Sequence, residues 1–363
     1  MSFLVQPMPW IQGLQPYQPG KPLAALEREL GIRDAIKLAS NENPLGTSAR
    51  VQEAISAACR SLGRYPEGAA PELRAALAAK HGVAERQILF GNGSDEIITM
   101  LCRAFAGPGT EVIVSQYAFA SYAIAARSVG AELVQVAARD YGHDLDAMAA
   151  RVGPSTRLIF LANPNNPTGT HFSSAELDAF LARVPAQVLV VLDEAYAELM
   201  STQDYPNGLE RLPAHPNLLL TRTFSKAYGL AGLRLGYAVA HPELIALLER
   251  LRLPFNVNSL AQVAGCAALA DNEHLQATLA NNAAGLTLIA DGLQKFGLTM
   301  LPAAGNFITF FTPGPAQPVY EALLHRGVIV RPLLPYGMPS HLRVSVGTPQ
   351  ENRRFLQTLG EVL

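Results

Sequence analysis

The sequence has few of the features that mark secreted, membrane-spanning or nucleic-acid-binding proteins. Three cysteines, Cys59, Cys102 and Cys266, are spread over 363 residues and predict neither a disulfide framework nor a zinc site. The longest wholly apolar stretches, such as 188–192, fall far below the roughly 18 residues needed to cross a bilayer. The formal net charge is -2 without any block of like charge, which argues against a nucleic-acid or anionic-membrane surface. The start lacks the pattern of a signal peptide, so we expect a cytoplasmic protein.

At 363 residues the chain is long for one hydrophobic core, and two domains are expected. From about residue 48, Ala-rich helical stretches alternate with short β-branched runs, which predicts an α/β fold with a mostly parallel sheet. The predicted strands are 87–90, 111–115, 132–136, 157–162, 188–195 and 217–225, with 234–240 as a candidate seventh. The pattern then changes to a helical stretch and three further strands, which is typical of a smaller α+β domain. The predicted divisions are an N-terminal arm with the start of the small domain (1–46), a large domain (47–255) and a small C-terminal domain (256–363).

Polar side chains follow several of these strands, at the edge where open α/β sheets bind ligands. After 87–90, "GNGSD" opens a helix whose free N–H groups near Ser94 and Asp95 suit a phosphate. After 157–162, "NPNNPTG" holds amide side chains, among them Asn166, on proline-fixed backbone, from which they can bond a ligand oxygen. Taken alone, the first pattern also fits a plain capped helix, and the second a plain turn.

The next two strands end on a carboxylate and a lysine in apolar surroundings. Asp193 closes a buried strand, where an unpaired carboxylate is costly and a cationic ring nitrogen would satisfy it, with Tyr196 in reach of the same pocket. Burial of Lys226 would disfavour its ammonium form and free the amine to form a Schiff base with an aldehyde. The ordinary alternatives are an N-capping aspartate beside a packed tyrosine, and a lysine that reaches solvent.

One ligand fits all four strand ends, because it carries an aldehyde, a pyridine nitrogen, a phenolate oxygen and a phosphate. Lys226 suits the aldehyde and Asp193 the nitrogen, while Asn166 and Tyr196 suit the phenolate oxygen. The predicted donors to the phosphate are the amides of 94–96, Ser225 and Arg234. Any other interpretation requires the ordinary explanation to hold at all four strand ends at once. The sequence therefore predicts a site for pyridoxal 5′-phosphate (PLP).

The same motifs resemble those of the fold-type I PLP-dependent aminotransferases. "NPTG", "DEAY" and "SK…R-x-G" occur in that family's order, with 27 residues from Asn166 to Asp193, 33 more to Lys226 and eight to Arg234. More narrowly, the chain resembles the histidinol-phosphate aminotransferases over nearly its whole length. That likeness rests on "PYQPGKP", "KLASNENPLG", "RYPEG", "GNGSDEII", "RTFSKAYGLAGLRLGY" and "GVIVRP…YGMPSHLRVSVGT". The resemblance implies a large PLP-binding domain with a mostly parallel sheet and a smaller α+β domain.

The resemblance also implies roles for individual residues. Lys226, Asp193 and Tyr196 would be catalytic: Lys226 holds the cofactor and shuttles a proton, Asp193 keeps the ring nitrogen protonated, and Tyr196 bonds the ring hydroxyl together with Asn166. The cofactor phosphate would be held by Ser94, Asp95, Glu96, Thr223, Ser225 and Arg234. Phe119 is the best-aligned residue to stack on the ring, and Tyr117 is the alternative.

On the substrate side, Arg343 matches the arginine that clamps an α-carboxylate in ordinary relatives and is expected to bind a substrate phosphate here. Arg331, and Tyr17 from the arm of a partner subunit, are its implied helpers, and Asn43 completes the implied substrate-binding set. Tyr65 would reach the cofactor phosphate of the neighbouring subunit, so a homodimer with shared active sites is expected.

The activity implied is transfer of the amino group of L-histidinol phosphate to 2-oxoglutarate, a step of histidine biosynthesis. One alternative is an aromatic amino-acid aminotransferase, because the apolar, proline-rich segment 332–340 would also suit an aromatic side chain. A PLP-dependent threonine-phosphate decarboxylase is a second alternative. A non-catalytic sensor is disfavoured, since only a short arm precedes the first strands and the charge is slightly acidic.

Overall fold

A computed structural model describes residues 5–18, 20–200, 202 and 204–363. Its helices are α1 (Leu23–Leu30), α2 (Ala49–Ala58), α3 (Pro71–His81), α4 (Ser94–Phe105), α5 (Ala120–Ser128), α6 (Leu145–Ala150), α7 (Ser174–Leu181), α8 (Pro242–Leu248), α9 (Ser259–Leu269), α10 (Asn272–Lys295), α11 (Ala316–His325) and α12 (Pro349–Val362). Its strands are β1 (Ile36–Lys37), β2 (Ile88–Asn92), β3 (Glu111–Ser115), β4 (Glu132–Val136), β5 (Thr156–Ala162), β6 (Leu189–Asp193), β7 (Leu218–Thr223), β8 (Leu235–Ala240), β9 (Phe307–Phe311), β10 (Val328–Ile329), β11 (Arg331–Pro332) and β12 (His341–Ser345). Within these ranges, no helix combines the length and the apolar character that a membrane crossing requires.

The large sheet has the strand order β2-β8-β7-β6-β5-β3-β4. Strands β3 to β7 pair in parallel, while β8 runs antiparallel to both of its neighbours. Separate apolar clusters cover the two faces, which explains why every residue of β6 is buried. The predicted mostly parallel α/β sheet is confirmed, and segment 234–240 joins it from residue 235. Because β8 is reversed, its amino end lies at the edge where the parallel strands finish.

The smaller part of the fold is built on a three-stranded antiparallel sheet in the order β11-β12-β9. Its core joins Ile308 of β9 and Val344 of β12 to Ile289 of α10 and Phe355 of α12. Helix α12 begins at a capping box in which Thr348 and Glu351 bond each other's backbone N–H groups, as the sequence pattern T-x-x-E favours.

The N-terminal segment is more ordered than the sequence indicated. Residues 23–30 form α1, which buries Leu26, and β1 pairs in parallel with β10 of the small domain. The apolar groups of this stretch pack on partners far along the chain, so it is more than an extended arm. The domain divisions at 47 and 256 stay predictions. Helix α9, which follows the predicted boundary, packs Ala261 and Ala264 into the core of the large sheet.

Candidate active site

A pocket of about 390 Å³ lies where β5, β6 and β7 end, facing the small domain. It is lined by twelve residues that the sequence predicted: Tyr17, Ser94, Asp95, Phe119, Asn166, Asp193, Tyr196, Thr223, Ser225, Lys226, Arg234 and Arg343. Parallel strands bring their carboxyl ends to one edge, and this places side chains from distant parts of the sequence together.

Lys226 follows β7 and projects into this pocket with one hydrogen bond, from Nζ to the carbonyl of Ser40 at 3.3 Å. Burial, and then the positive charge of Arg343, lower the pKa of Lys226 to about 8. About a tenth of the amine is therefore unprotonated at pH 7, and this is the state that attacks an aldehyde.

Asp193 ends β6 and uses only one of its two carboxylate oxygens. Tyr122 donates its hydroxyl to Oδ2 at 2.5 Å, while Oδ1 is buried with no hydrogen-bond partner among the described residues. Burial raises the pKa of Asp193 to about 6, and the bond from Tyr122 opposes that rise. A buried, unpaired carboxylate oxygen is costly, so Oδ1 is the natural partner of a cationic ring nitrogen.

Two further side chains, Tyr196 and Asn166, flank the same space. Burial raises the pKa of Tyr196 to about 12, so its hydroxyl remains a donor at physiological pH. The Asn166 carbonyl oxygen accepts a hydrogen bond from Nη1 of Arg343, which leaves the Asn166 amide NH₂ as the group available to a ligand. Both residues can thus donate to one phenolate oxygen.

A phosphate cradle lies at the start of α4. Gly93, the residue before this helix, supplies no side-chain cap, so the first N–H groups of α4 remain available to an anion. A Cβ at Gly236 would lie 2.4 Å from the N atom of Ser94, and one at Gly93 would lie 2.5 Å from Nη2 of Arg234. The backbone leaves no room for a side chain at Gly236, and the φ of 76° favours glycine at Gly93; the space is bordered by N–H groups and a guanidinium. PLP therefore fits the pocket at its aldehyde, ring nitrogen and phosphate.

Arg343 lies on β12 at the small-domain side of the pocket. Its Nη2 donates to the carbonyl of Ala39 at 2.8 Å, and the residue is 5% exposed. Its Nε is buried without a partner among the described residues, so the guanidinium has donor capacity left for an oxyanion. Arg331 lies behind it, and its guanidinium covers the ring of Tyr17 at 5.8 Å.

The structure changes the placement of two predicted substrate residues. Tyr17 was expected from a partner subunit, but it lines the pocket of its own chain, where Arg331 bonds the adjacent carbonyl of Gln18 at 2.6 Å. Asn43 is not in the pocket lining. Its Nδ2 donates to the carbonyl of Ala227 and to Oγ1 of Thr278, both at 3.1 Å, so it anchors the segment after Lys226, and its role with substrate stays a prediction.

Glu96, Tyr117 and Tyr65 do not line the pocket. The Glu96 side chain turns back to the N atom of Asn92 at 2.6 Å, so only its backbone amide remains for the phosphate. Phe119 borders the pocket, whereas the alternative Tyr117 stacks on Tyr141 with 5.5 Å between ring centroids. Tyr65 is 82% exposed and does not enter the pocket of its own chain.

Sequence reasoning missed two residues, Tyr122 and Asn41. Tyr122 lies one helical turn after Phe119 on α5, and this spacing was the available signal for it. Asn41 donates from Nδ2 to Oη of Tyr196 at 2.8 Å, across 155 positions, and nothing in local sequence indicates this pair.

The sequence is similar to those of known aminotransferases. Residues 33–359 match the sequence profile of the family "Aminotransferase class I and II", and the chain belongs to that family. Histidinol-phosphate aminotransferase 2 of Pseudomonas aeruginosa is 52% identical, with the match covering 100% of this chain and 99% of that protein. Histidinol-phosphate aminotransferase 1 of Mannheimia succiniciproducens is 48% identical, with the same coverage of both.

Solved structures agree with the fold. Histidinol-phosphate aminotransferase from Sinorhizobium meliloti, in complex with pyridoxal-5′-phosphate, superposes with a TM-score of 0.91 at 30% identity, covering 99% of this chain and 98% of that one. Aspartate aminotransferase from Thermus thermophilus with maleate gives a TM-score of 0.85 at 25% identity, covering 99% and 100%. The predicted fold-type I architecture is confirmed.

Proposed function

We propose that this chain is a histidinol-phosphate aminotransferase that uses PLP and acts in histidine biosynthesis. It transfers the amino group of L-histidinol phosphate to 2-oxoglutarate and yields imidazole-acetol phosphate and L-glutamate. The observation that carries the proposal is a pocket with Lys226 and the free Oδ1 of Asp193 at one end and the buried guanidinium of Arg343 at the other. Relatives at about 50% identity over the full chain bear that name. We place the reaction in the cytoplasm.

Bound PLP supplies an electron sink for the pair of electrons released when the substrate Cα loses its proton. Lys226 Nζ is the group placed to take that proton and to return it, because its pKa is lowered into the working range. Asp193 Oδ1 holds the ring nitrogen in its protonated form, and Phe119 covers the ring. Arg343 binds the substrate phosphate, with the Tyr17 ring beside it.

We also propose a homodimer in which Tyr65 completes the partner's site. Tyr65 stacks on Phe255 with centroids 4.6 Å apart, and both side chains are exposed. Leu62 and Leu253, close to them in the sequence, are 52% and 59% exposed, and exposed apolar side chains of this kind are typical of a protein interface. A second copy is the partner that would use the tyrosine hydroxyl as a phosphate ligand.

A second candidate, an aromatic amino-acid aminotransferase, is favoured by the aromatic surroundings of the substrate side. Tyr17 lies edge to face with Phe119, with ring centroids 6.4 Å apart, and Tyr336 lies close to Arg343. These rings would accommodate a phenyl group as well as an imidazole.

The decisive experiment mixes PLP-loaded protein with histidinol phosphate, phenylalanine or threonine phosphate in the absence of a keto acid. Loss of the visible band at far lower concentrations of histidinol phosphate than of phenylalanine is expected. Arg343→Gln should remove that preference while it leaves PLP content unchanged. Equal conversion by phenylalanine would favour the second candidate, and carbon dioxide release from threonine phosphate would overturn the transaminase assignment.

A further inference from the structure

Asn41 belongs to an irregular strap, residues 38–42, and residues 39–42 of this strap line the pocket. Consecutive residues of the strap contact three predicted site residues: Ala39 accepts from Arg343, Ser40 accepts from Lys226, and Asn41 donates to Tyr196. Asn41 is 1% exposed, and its φ of 53° lies in the left-handed region, which asparagine tolerates better than most residues.

Asn41 is bonded on one side to Ser345 and on the other to Tyr196. Ser345 Oγ accepts the backbone N–H of Asn41 at 2.8 Å, and its own proton goes to Oδ1 of Asn41 at 2.9 Å. The carbonyl side of the amide therefore faces Ser345, and the NH₂ side faces Oη of Tyr196 at 2.8 Å. The opposite orientation would let the amide oxygen accept the Tyr196 proton and would leave the serine proton unpaired, so only the present orientation gives both protons an acceptor once a phenolate oxygen lies in the pocket.

This orientation also decides where the Tyr196 hydroxyl proton goes. Because Asn41 Nδ2 is a donor, it occupies a lone pair of Oη and cannot accept the tyrosine proton. Within the described parts of the chain no residue accepts that proton, and Tyr196 is only 3% exposed. The proton is thus left to point into the pocket that Tyr196 lines.

We propose that Asn41 is a positioning residue, which holds the Tyr196 hydroxyl so that its proton is donated to the ring oxygen of PLP. The inference rests on the proposed function, since it requires PLP in the pocket. Ser345 lies two residues from Arg343 on β12, so Asn41 also ties the tyrosine to the strand that carries the substrate arginine. Asn41 contacts no substrate atom in this role and acts only through Tyr196.

The test measures the midpoint pH at which the visible absorption band of the PLP-loaded protein changes. A hydroxyl that donates to the ring phenolate stabilises the anion, so loss of this bond raises the midpoint. For Tyr196→Phe we expect a rise of about 1–2 pH units, the shift that a hydrogen bond to a charged group is worth. Asn41→Gly keeps the left-handed backbone unstrained and should raise the midpoint by a smaller amount. Asn41→Asp keeps the shape but accepts the tyrosine proton, and should raise it as much as Tyr196→Phe.

Two comparisons separate positioning from simple loosening of the strap. In a Tyr196→Phe background, Asn41→Gly should shift the midpoint no further, because the hydroxyl through which Asn41 acts is already absent. Asn306→Ala removes a bond to the Asn41 carbonyl at 3.0 Å without touching Tyr196, and should leave the midpoint at the wild-type value.

An unchanged midpoint in Asn41→Gly would overturn the proposal. So would equal shifts in the wild-type and Tyr196→Phe backgrounds, or an Asn306→Ala shift that matches Asn41→Gly. A wild-type chain without a pH-dependent visible band would instead overturn the proposed function, and this would be seen before any variant is made.

Discussion

Replacement of Tyr122 by phenylalanine removes one hydroxyl from a fully buried site and tests how Asp193 is kept ionised. Tyr122 is 0% exposed and stacks on Phe160 with centroids 4.6 Å apart, so phenylalanine preserves the packing. The change leaves Asp193 buried and without the hydrogen bond at Oδ2. Since Tyr122 stabilises the charged carboxylate, its loss raises the pKa of Asp193 above its present value of about 6.

The size of this rise can be worked out from the single bond that is lost. A hydrogen bond to a charged group is worth about 1.5–3 kcal/mol, and one pKa unit corresponds to about 1.4 kcal/mol. The pKa of Asp193 should therefore reach about 7–8. Cofactor binding requires the ionised carboxylate, so affinity is lost as the pH falls through this pKa, and the loss should begin at higher pH in the variant.

The assay is the dissociation constant of pyridoxamine phosphate between pH 5.5 and 9, because this form makes no covalent bond to Lys226. At pH 6 the variant should bind about 7- to 80-fold more weakly than wild type, and at pH 9 the two should agree within about twofold. Ionisations of the ligand are common to both proteins and cancel in the ratio. Agreement of the two dissociation constants at pH 9 also shows that the variant is folded.

Tyr228→Phe is the matched control for this variant. Tyr228 is a buried tyrosine whose hydroxyl has no hydrogen-bond partner among the described residues, so its loss should leave the profile unchanged. A Tyr122→Phe profile that coincides with wild type would refute the reasoning. A uniform loss of affinity at every pH would refute it as well, because it would show a role in shape instead of charge.

Three further predictions concern the lysine, the cradle and the core. The rate of covalent PLP capture, measured by borohydride trapping, should rise with pH to about 8 and then level off, because burial lowers the pKa of Lys226 to that value. A rate that still climbs tenfold per pH unit near pH 10 would contradict this. Lys226→Ala should trap no PLP. Gly236→Ala should weaken PLP binding at least about tenfold by equilibrium dialysis, since the new Cβ collides with the backbone at Ser94. Arg222→Met should lower the free energy of unfolding by about 3–5 kcal/mol in urea titration, because the Glu194 carboxylate, 0% exposed, loses the guanidinium that lies 2.8 Å away. The double variant Arg222→Met, Glu194→Gln should recover most of this free energy.

Much of the fold follows from local pattern. Strands β3 and β4 fall at the residues predicted, because short β-branched runs bounded by turn residues have few other ways to bury their side chains. The lysine, the aspartate and the glycine cradle were also predictable, since parallel strands bring their carboxyl ends to one edge and unusual polar residues there stand out.

The remainder depends on contacts that local sequence does not carry. The bond from Tyr122 to Asp193 joins residues 71 positions apart, and a tyrosine within an apolar helix looks like ordinary core until its hydroxyl is located. Tyr17 lines the pocket of its own chain, and the motif that contains it does not carry the path of the arm that places it there. Helix α1 was missed because it is eight residues long and follows a stretch rich in proline and glycine.

The pairing of β1 with β10 has a consequence for synthesis on the ribosome. Ile36 and its partner Val328 are separated by about 290 residues, which take roughly 15–60 s to translate. Leu26 and Leu38, both buried in the finished protein, spend that interval without their partners in the small domain, while Asp193 and Lys226 are translated within it. The half of the pocket proposed to hold the cofactor is thus translated well before the residues of β12 proposed to bind the substrate. A chaperone that binds the first forty residues would protect the part of the chain that waits longest.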